Sequence, residues 1–166
     1  MNVADIQLMY EYNDWANHLI LTKSAQVTPE QFVAPTTHSF GSLHGTLVHT
    51  LDSEWSWRFA VESNAWTTVE LKPEDFPTIA AVRERWAEEE AAWHAYLNGL
   101  TDADMTNIVR YDLPEGGFRQ RVLWNCLYHV VNHGMQHRSE AAHMLTQYGQ
   151  SPGGLDFTRF LNERPA

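Results

Sequence analysis

Residues 127–140 read LYHVVNHGMQHRSE, and this stretch decides how the chain folds. Its three histidines, His129, His133 and His137, recur at every fourth residue. Side chains four residues apart lie on one face of a helix, with Cβ atoms about 5–6 Å apart, so two such imidazoles can bind one divalent metal ion. All three cannot, because eight residues span about 12 Å of helix axis. The stretch predicts a helix with a two-histidine half-site that needs a third ligand from elsewhere.

Hydrophobic spacing around this stretch predicts a helical fold. It indicates four long helices, over residues 3–25, 42–62, 78–98 and 122–148. Residues 107–120 place β-forming residues around a proline and a Gly-Gly pair, which is typical of a short hairpin, and residues 156–162 predict a short final helix. Long helices in this arrangement predict an all-α four-helix bundle with a short hairpin before the last long helix. We expect one domain over residues 1–166.

The charge balance argues against polyanionic partners. The 166-residue chain has a net charge of -10 and only 11 lysines and arginines, which are scattered. Nucleic acids and anionic membranes both require clustered positive charge, so we expect neither as a partner. The same balance is compatible with a bound cation.

Cysteine and tryptophan content restricts the fold class further. The single cysteine, Cys126, excludes an intrachain disulfide and a cysteine-rich zinc module. The sequence has no secretory signal pattern and no apolar run of membrane-spanning length, so we expect a cytoplasmic protein. Most of the 7 tryptophans should pack in the core, with Trp15, Trp55 and Trp124 as candidates to rim a pocket.

Gly134 favours one of the two possible histidine pairs. It lies between His133 and His137, and a glycine weakens a helix by roughly 1 kcal/mol relative to alanine. A purely structural helix has little reason to accept that loss, whereas in a binding site the missing side chain leaves room near the backbone. The pair His133 and His137 is therefore favoured, while His129 could equally support the site from outside the ligand set.

His49 is the best candidate for the third ligand. It lies in the middle of the second predicted helix, where a buried imidazole needs a polar partner. Asp52 and Glu54 are alternative oxygen ligands or a general base, and His44 points to a different face of the helix. The remaining histidines are interpreted as non-ligands with loop or surface roles: His18, His38, His94 and His143.

The ligand types predict an open metal site of undetermined metal. Three histidines leave positions for water or substrate, which is typical of catalytic rather than structural zinc. Neutral imidazole also suits nickel, iron and copper. The zinc-protease pattern His-Glu-x-x-His is absent, and the Glu-x-x-His of di-iron bundles occurs once, over residues 140–143. No Gly-rich phosphate loop or Gly-x-Ser-x-Gly elbow is present, which argues against nucleotide-dependent and serine-hydrolase chemistry.

Three segments resemble the DinB/YfiT-like family of metal-dependent enzymes: NDWAN (13–17), GSLHGTLVH (41–49) and HVVNHGMQHR (129–138). The resemblance implies a bundle whose helices run up-down-down-up and a homodimer. It also implies a divalent metal held by His49, His133 and His137, with zinc or nickel expected first and iron as a further option. Better-understood members transfer or isomerise adducts of small thiols, which implies a low-molecular-weight thiol as a small-molecule substrate.

One departure from the family pattern follows the last ligand. The family often continues Arg-Gly-Gln, whereas this chain has Arg138-Ser139-Glu140. Glu140 adds a carboxylate, so it joins Asp52 and Glu54 as a candidate catalytic residue. We expect a metal-dependent thiol S-transferase or a hydrolase, in which the metal acts as a Lewis acid. The alternatives are a non-catalytic stress-related bundle that binds metal or a small ligand, and a structural bundle whose histidines only pack.

Overall fold

A computed structural model describes residues 1–113 and 116–164, which are mostly helical. The helices are α1 (Val3–Ser24), α2 (Pro29–Val33), α3 (Leu43–Ser63), α4 (Ile79–Asn98), α5 (Leu123–Gln147) and α6 (Phe157–Glu163). The strands β1 (Ile108–Asp112) and β2 (Phe118–Val122) pair antiparallel, and single 3-10 turns lie at Pro73–Asp75 and Asp104–Thr106. The four long helices, the final helix and the hairpin are confirmed, although Pro114 and Glu115 of the predicted hairpin lie outside the described residues.

Side-chain caps explain where three of the long helices begin. The Asn2 side chain accepts a hydrogen bond from the Asp5 N–H at 2.8 Å, and the Asp5 carboxylate accepts the Asn2 N–H in return. Ser42 and Thr78 accept N–H groups in the first turns of α3 and α4. Such caps satisfy N–H groups that have no partner inside the helix. The fourth long helix, α5, has no side-chain cap and follows β2 directly, so the hairpin leads straight into it.

The short helix α2 was not predicted. Its Pro29 is at the first helical position, where the missing N–H of proline costs nothing. Thr28 and Gln31 form a reciprocal capping box that completes the turn. Phe32 of α2 is buried and lies against the His44 ring, with a centroid distance of 4.7 Å.

The long helices pack in four pairs. Helix α5 packs against α1 and α3, and α4 also packs against α1 and α3. The buried apolar side chains form two clusters, one around Tyr10, Trp93 and Leu127 and the other around Leu51, Trp86 and Met144. Of the helices in the described residues, none combines the length and apolar character needed to cross a bilayer.

A buried polar network joins all four long helices. Arg138 of α5 donates to the side-chain oxygens of Asn13 and Asn17 of α1, at 2.6 and 2.9 Å. Both asparagine amides then donate to Oε1 of Glu54 on α3, at 2.9 and 3.0 Å. The other oxygen of Glu54 accepts Nε1–H of Trp86 on α4 at 3.1 Å. The two asparagines thus bridge a buried cation and a buried carboxylate.

Burial and hydrogen bonding shift the pKa values of Glu54 and Arg138, the two charged residues of this network, in opposite directions. Burial raises the pKa of Glu54 and lowers the pKa of Arg138, because both charged forms lose water. The asparagine donors and Arg138 act against this effect on Glu54. Three donors converge on the carboxylate, and this arrangement suits the ionised form, which only accepts hydrogen bonds.

Candidate metal centre

The structure brings three histidines together where α3 faces α5. His133 and His137 lie one turn apart on α5, and His49 faces them from α3. One ring nitrogen from each lies within 4.8 Å of the others. Nε2 of His133 and Nε2 of His137 are 3.1 Å apart. These are the three residues that the sequence singled out as metal ligands.

The nitrogen positions fit a divalent metal ion. Bonds of about 2.0–2.1 Å place two nitrogens of a tetrahedral site about 3.3 Å apart, close to the observed separation of the two Nε2 atoms. Nδ1 of His137 lies 3.0 Å from Oε2 of Glu140. Because a carboxylate only accepts, we assign the proton to Nδ1, which leaves the Nε2 lone pair directed at His133. Two ring nitrogens that face each other this closely require a proton or a cation between them.

The surroundings keep the imidazoles in the form that binds metal. Burial, together with the neighbouring His137, lowers the pKa of His49 to about 4. The pKa of His133 is also lowered to about 4, chiefly by burial and then by His137 and His49. Both rings are therefore neutral at pH 7, and a neutral imidazole is the species that ligates a metal.

The ring of Phe40 contacts two histidines of the cluster. The Phe40 ring, in the loop before α3, stacks on His49 with centroids 3.6 Å apart and an interplanar angle of 12°. It also meets the edge of the His137 ring at 5.2 Å. His129 lies outside the three-histidine group and packs instead on Trp57 at 4.9 Å. The sequence did not predict this role of Phe40, because the position of a loop residue in the chain does not indicate which ring it will contact.

Gly134 has a different role from the one expected. A Cβ atom added there would lie 2.7 Å from Nη1 of Arg138 and 3.1 Å from Oδ1 of Asn13. The space beside the backbone is therefore filled by the buried arginine, not left free for a metal or substrate. The glycine still points to the site region, because Arg138 directly follows the ligand His137.

The three candidate catalytic carboxylates occupy different places. Glu140 contacts His137, as described above. Asp52 is half-buried near His49, and its Oδ1 accepts the Leu71 N–H at 2.8 Å. Burial raises the pKa of Asp52. Glu54 is only 3% exposed and belongs to the polar network of Arg138, so the structure does not bring it into the histidine group.

A cavity of about 360 Å³ opens beside His49. Its lining combines aromatic rings, hydroxyl groups and two carboxylates: His49, Asp52, Ser53, Ser56, Trp57, Trp66, Thr67, Thr68, Val69 and Glu70. Trp57 and Trp66 meet edge to face with centroids 5.3 Å apart. The tryptophans expected to rim a pocket, Trp15, Trp55 and Trp124, are not among these residues. The loop between α3 and α4 supplies half of the lining residues. Local sequence patterns do not predict this pocket, because the loop meets α3 only in the folded chain.

The helical fold and the three-histidine group define a protein suited to holding a divalent metal ion. A family model described as the DinB family matches residues 1–165, and the chain belongs to this family. It is similar to Protein DinB of Bacillus subtilis (strain 168), with 24% identity over 157 residues that cover 92% of this chain and 91% of that protein. The family resemblance noted from the sequence is confirmed.

Proposed function

We propose that this protein binds one divalent metal ion through His49, His133 and His137 and is a metal-dependent enzyme that acts on a small molecule. The observation that carries the proposal is the convergence of three ring nitrogens, with two Nε2 atoms 3.1 Å apart. An all-imidazole set favours zinc or nickel, with iron as a further option. When bound, such an ion acts as a Lewis acid on a substrate group.

Residues around the histidines have distinct supporting roles. Glu140 holds the proton of His137 on Nδ1 and so keeps Nε2 available as a ligand. Phe40 covers one face of His49 and excludes water from it. Asp52 lies beside the same histidine, and burial raises its pKa, which makes its carboxylate a stronger base than an exposed one.

The cavity beside His49 supports a small-molecule substrate. Its volume of about 360 Å³ lies at the lower end of the range for small-ligand pockets. Trp57 and Trp66 offer apolar surface, whereas Asp52 and Glu70 disfavour a strongly anionic molecule. A low-molecular-weight thiol with few carboxylates, in an S-transfer or hydrolysis reaction, is the first class to test.

One observation favours a non-catalytic alternative. The carboxylates near the histidines are both engaged, Glu140 with His137 and Asp52 with the Leu71 N–H. A protein that stores or senses metal, or holds a small ligand, needs no free base. Turnover of any substrate separates the two functions.

We also propose the up-down-down-up bundle that the family resemblance implies. Contacts between α1 and α5 advance in the same chain direction, from Tyr10–Leu127 to Asn17–Arg138. By their contacts, α3 and α4 are also parallel. In contrast, α3 is antiparallel to α5, and α1 is antiparallel to α4. The homodimer and the cytoplasmic location stay predictions, which light scattering and cell fractionation can test.

The first experiment is elemental analysis of the purified protein beside His49→Ala and His133→Ala. His143→Ala is the matched control, because this exposed histidine is on α5 outside the cluster. We expect one equivalent of tightly held metal in the parent and the control, and its loss in both cluster variants with the circular dichroism spectrum retained. Tightly held metal that persists in the cluster variants would refute the site.

Turnover is then measured with the metal-loaded parent and with His133→Ala. The panel contains thiol conjugations to small electrophiles and the hydrolysis of small amides and esters. We expect activity that requires both metal and His133. Metal binding without turnover on any substrate would refute the enzyme and leave the binding protein.

A further inference from the structure

A second group of histidines and carboxylates lies where α1 faces α4. Asp14 and His18 are four residues apart on α1, and Glu90 and His94 are four residues apart on α4. The pairs cross between the helices, with His94 Nε2 2.9 Å from Asp14 Oδ2 and His18 Nε2 2.8 Å from Glu90 Oε2. Each helix thus contributes one imidazole and one carboxylate on one face, the spacing at which two side chains can reach one ion.

The ligand atoms are close enough to bind one ion. One atom each from Asp14, Glu90 and His94 lies within 4.8 Å of the other two. Metal–ligand bonds of about 2.0–2.2 Å allow separations of up to about 4.4 Å between two ligands of the same ion, so only a small approach is needed. His18, whose Nε2 lies 2.8 Å from Oε2 of Glu90, is at the edge of this group as a fourth donor.

The two carboxyl groups of the cluster crowd each other, and a bound cation would relieve this crowding. The Asp14 and Glu90 side chains are only 15% and 24% exposed, so water screens these two carboxylates incompletely. Burial, Glu90 and the more distant Glu54 raise the pKa of Asp14 to about 8, although Arg138 opposes this. The chain has a net charge of -10, so it has no excess of positive charge to balance these two carboxyl groups.

The group is also accessible. A cavity of about 420 Å³ is lined by His18 and Glu90 together with residues of both helices. An ion bound there could keep water as further ligands. This cluster shares no helix with the three-histidine cluster, which lies between α3 and α5.

We propose that Asp14, Glu90 and His94, with His18 as an additional donor, form a second divalent-cation site that links α1 to α4. Two imidazoles and two carboxylates suit a first-row transition metal such as zinc better than magnesium, which prefers oxygen ligands. The partly exposed position predicts weaker binding than at the three-histidine cluster. A metal that binds the folded chain here stabilises the contact between the two helices.

The test measures zinc binding to the chelator-stripped full chain by titration calorimetry. In the parent we expect two zinc equivalents, the second weaker. His137→Ala disrupts the three-histidine cluster and should retain the weaker site, which cobalt substitution makes visible as d–d absorption. Adding Asp14→Asn or His94→Ala to this variant should weaken the remaining site by about tenfold or more.

Two controls keep the result interpretable. Asp14→Asn replaces a crowded carboxyl group with an amide of the same size, so this variant should fold, as circular dichroism can verify. Adding His143→Ala to His137→Ala removes an exposed histidine elsewhere and should leave the weaker site unchanged. A single zinc equivalent in the parent that His137→Ala abolishes, or a second equivalent that Asp14→Asn and His94→Ala both leave unaltered, would overturn the proposal. Neither result would bear on the three-histidine site, which has its own variants.

Discussion

Replacing Gly134 by alanine should destabilise the protein, the reverse of the usual effect in a helix. In an ordinary helix interior the change stabilises by about 0.8–1.0 kcal/mol. Here the new Cβ would lie 2.7 Å from Nη1 of Arg138, so the guanidinium must move. It has little freedom to do so, because Arg138 is only 3% exposed and its Nη1 donates to Asn13 and Asn17.

The energy terms give the sign and size of the effect. Overpacking a buried site costs about 1–3 kcal/mol, and losing one hydrogen bond from a charged donor costs about 1.5–3 kcal/mol. After the gain in helix propensity, a net destabilisation of about 2–5 kcal/mol is expected. Urea unfolding of the metal-free proteins at pH 7, followed by circular dichroism, measures it as a lower midpoint.

Gly99→Ala is the matched control for this substitution. Gly99 ends α4 with a φ of -83°, and a Cβ there would meet the Tyr96 carbonyl oxygen at 3.4 Å. Its effect should stay within about 0.5 kcal/mol. If Gly134→Ala were as stable as the parent or more so, the close contact with Arg138 could not be the reason for the glycine.

Three further predictions concern single side chains. Glu140→Ala should weaken metal binding about 10–100-fold, because Nδ1 of His137 loses its hydrogen-bond acceptor. Glu140→Gln restores the common family residue and should weaken metal binding less. Titration calorimetry measures the affinity of both variants. Glu89→Ala should cost about 3 kcal/mol in urea unfolding, since this fully buried carboxylate pairs with two arginines. Burial raises the pKa of Cys126 from its ordinary value of 9.0 to about 11. At pH 8, unfolding should therefore speed alkylation of the thiol by about 100-fold or more.

Each of these predictions has a result that would contradict it. Equal zinc affinity for Glu140→Ala and the parent would remove the role of that carboxylate. Glu88→Ala alters an exposed neighbour of Glu89 and should be nearly neutral, so equal losses from the two variants would show that burial is not the cause. Equally fast alkylation of Cys126 in the folded and urea-unfolded chain would mean that the thiol is accessible.

Because the pKa of Cys126 is raised in the folded chain, ionisation of this thiol should reduce stability only as pH rises through about 9 to 11.

The long helices could be predicted because their signals are local. Apolar periodicity and capping residues such as Ser42 and Thr78 lie within the segments they define. Helix α2 was missed because Pro29 has two opposite meanings, a breaker inside a helix and a favoured residue at its first position. Only the capping interaction of Thr28 with Gln31 distinguishes them.

The histidine cluster could be predicted in part for similar reasons. The i, i+4 spacing of His133 and His137 is local, and a histidine in the middle of an apolar helix, such as His49, needs a partner. Glu54 shows the limit of this reasoning: it is five residues from His49, about 140° around the helix, and so faces the network of Arg138 instead.

Residues that act through distant contacts left no usable signal. Phe40 and Trp66 lie in loops, and their positions against His49 and Trp57 arise only when those loops pack. Asn13 and Asn17 gave only a weak signal in the sequence, because two amides four residues apart on a largely apolar helix imply a buried partner without identifying it. That partner, Arg138, lies more than a hundred residues away.

The asparagine bridge also fixes the longitudinal register of α1 against α5. If α1 slid by one turn, about 5.4 Å, only one asparagine could still face Arg138, and Met9 or Leu21 would take the place of the other. Neither side chain can accept the guanidinium hydrogen bond or donate to Glu54, so the shifted packing would leave a buried charge short of a partner. An apolar interface tolerates such slippage far better. The network therefore selects one alignment of the helices, and with it the alignment at which His49 meets the histidines of α5.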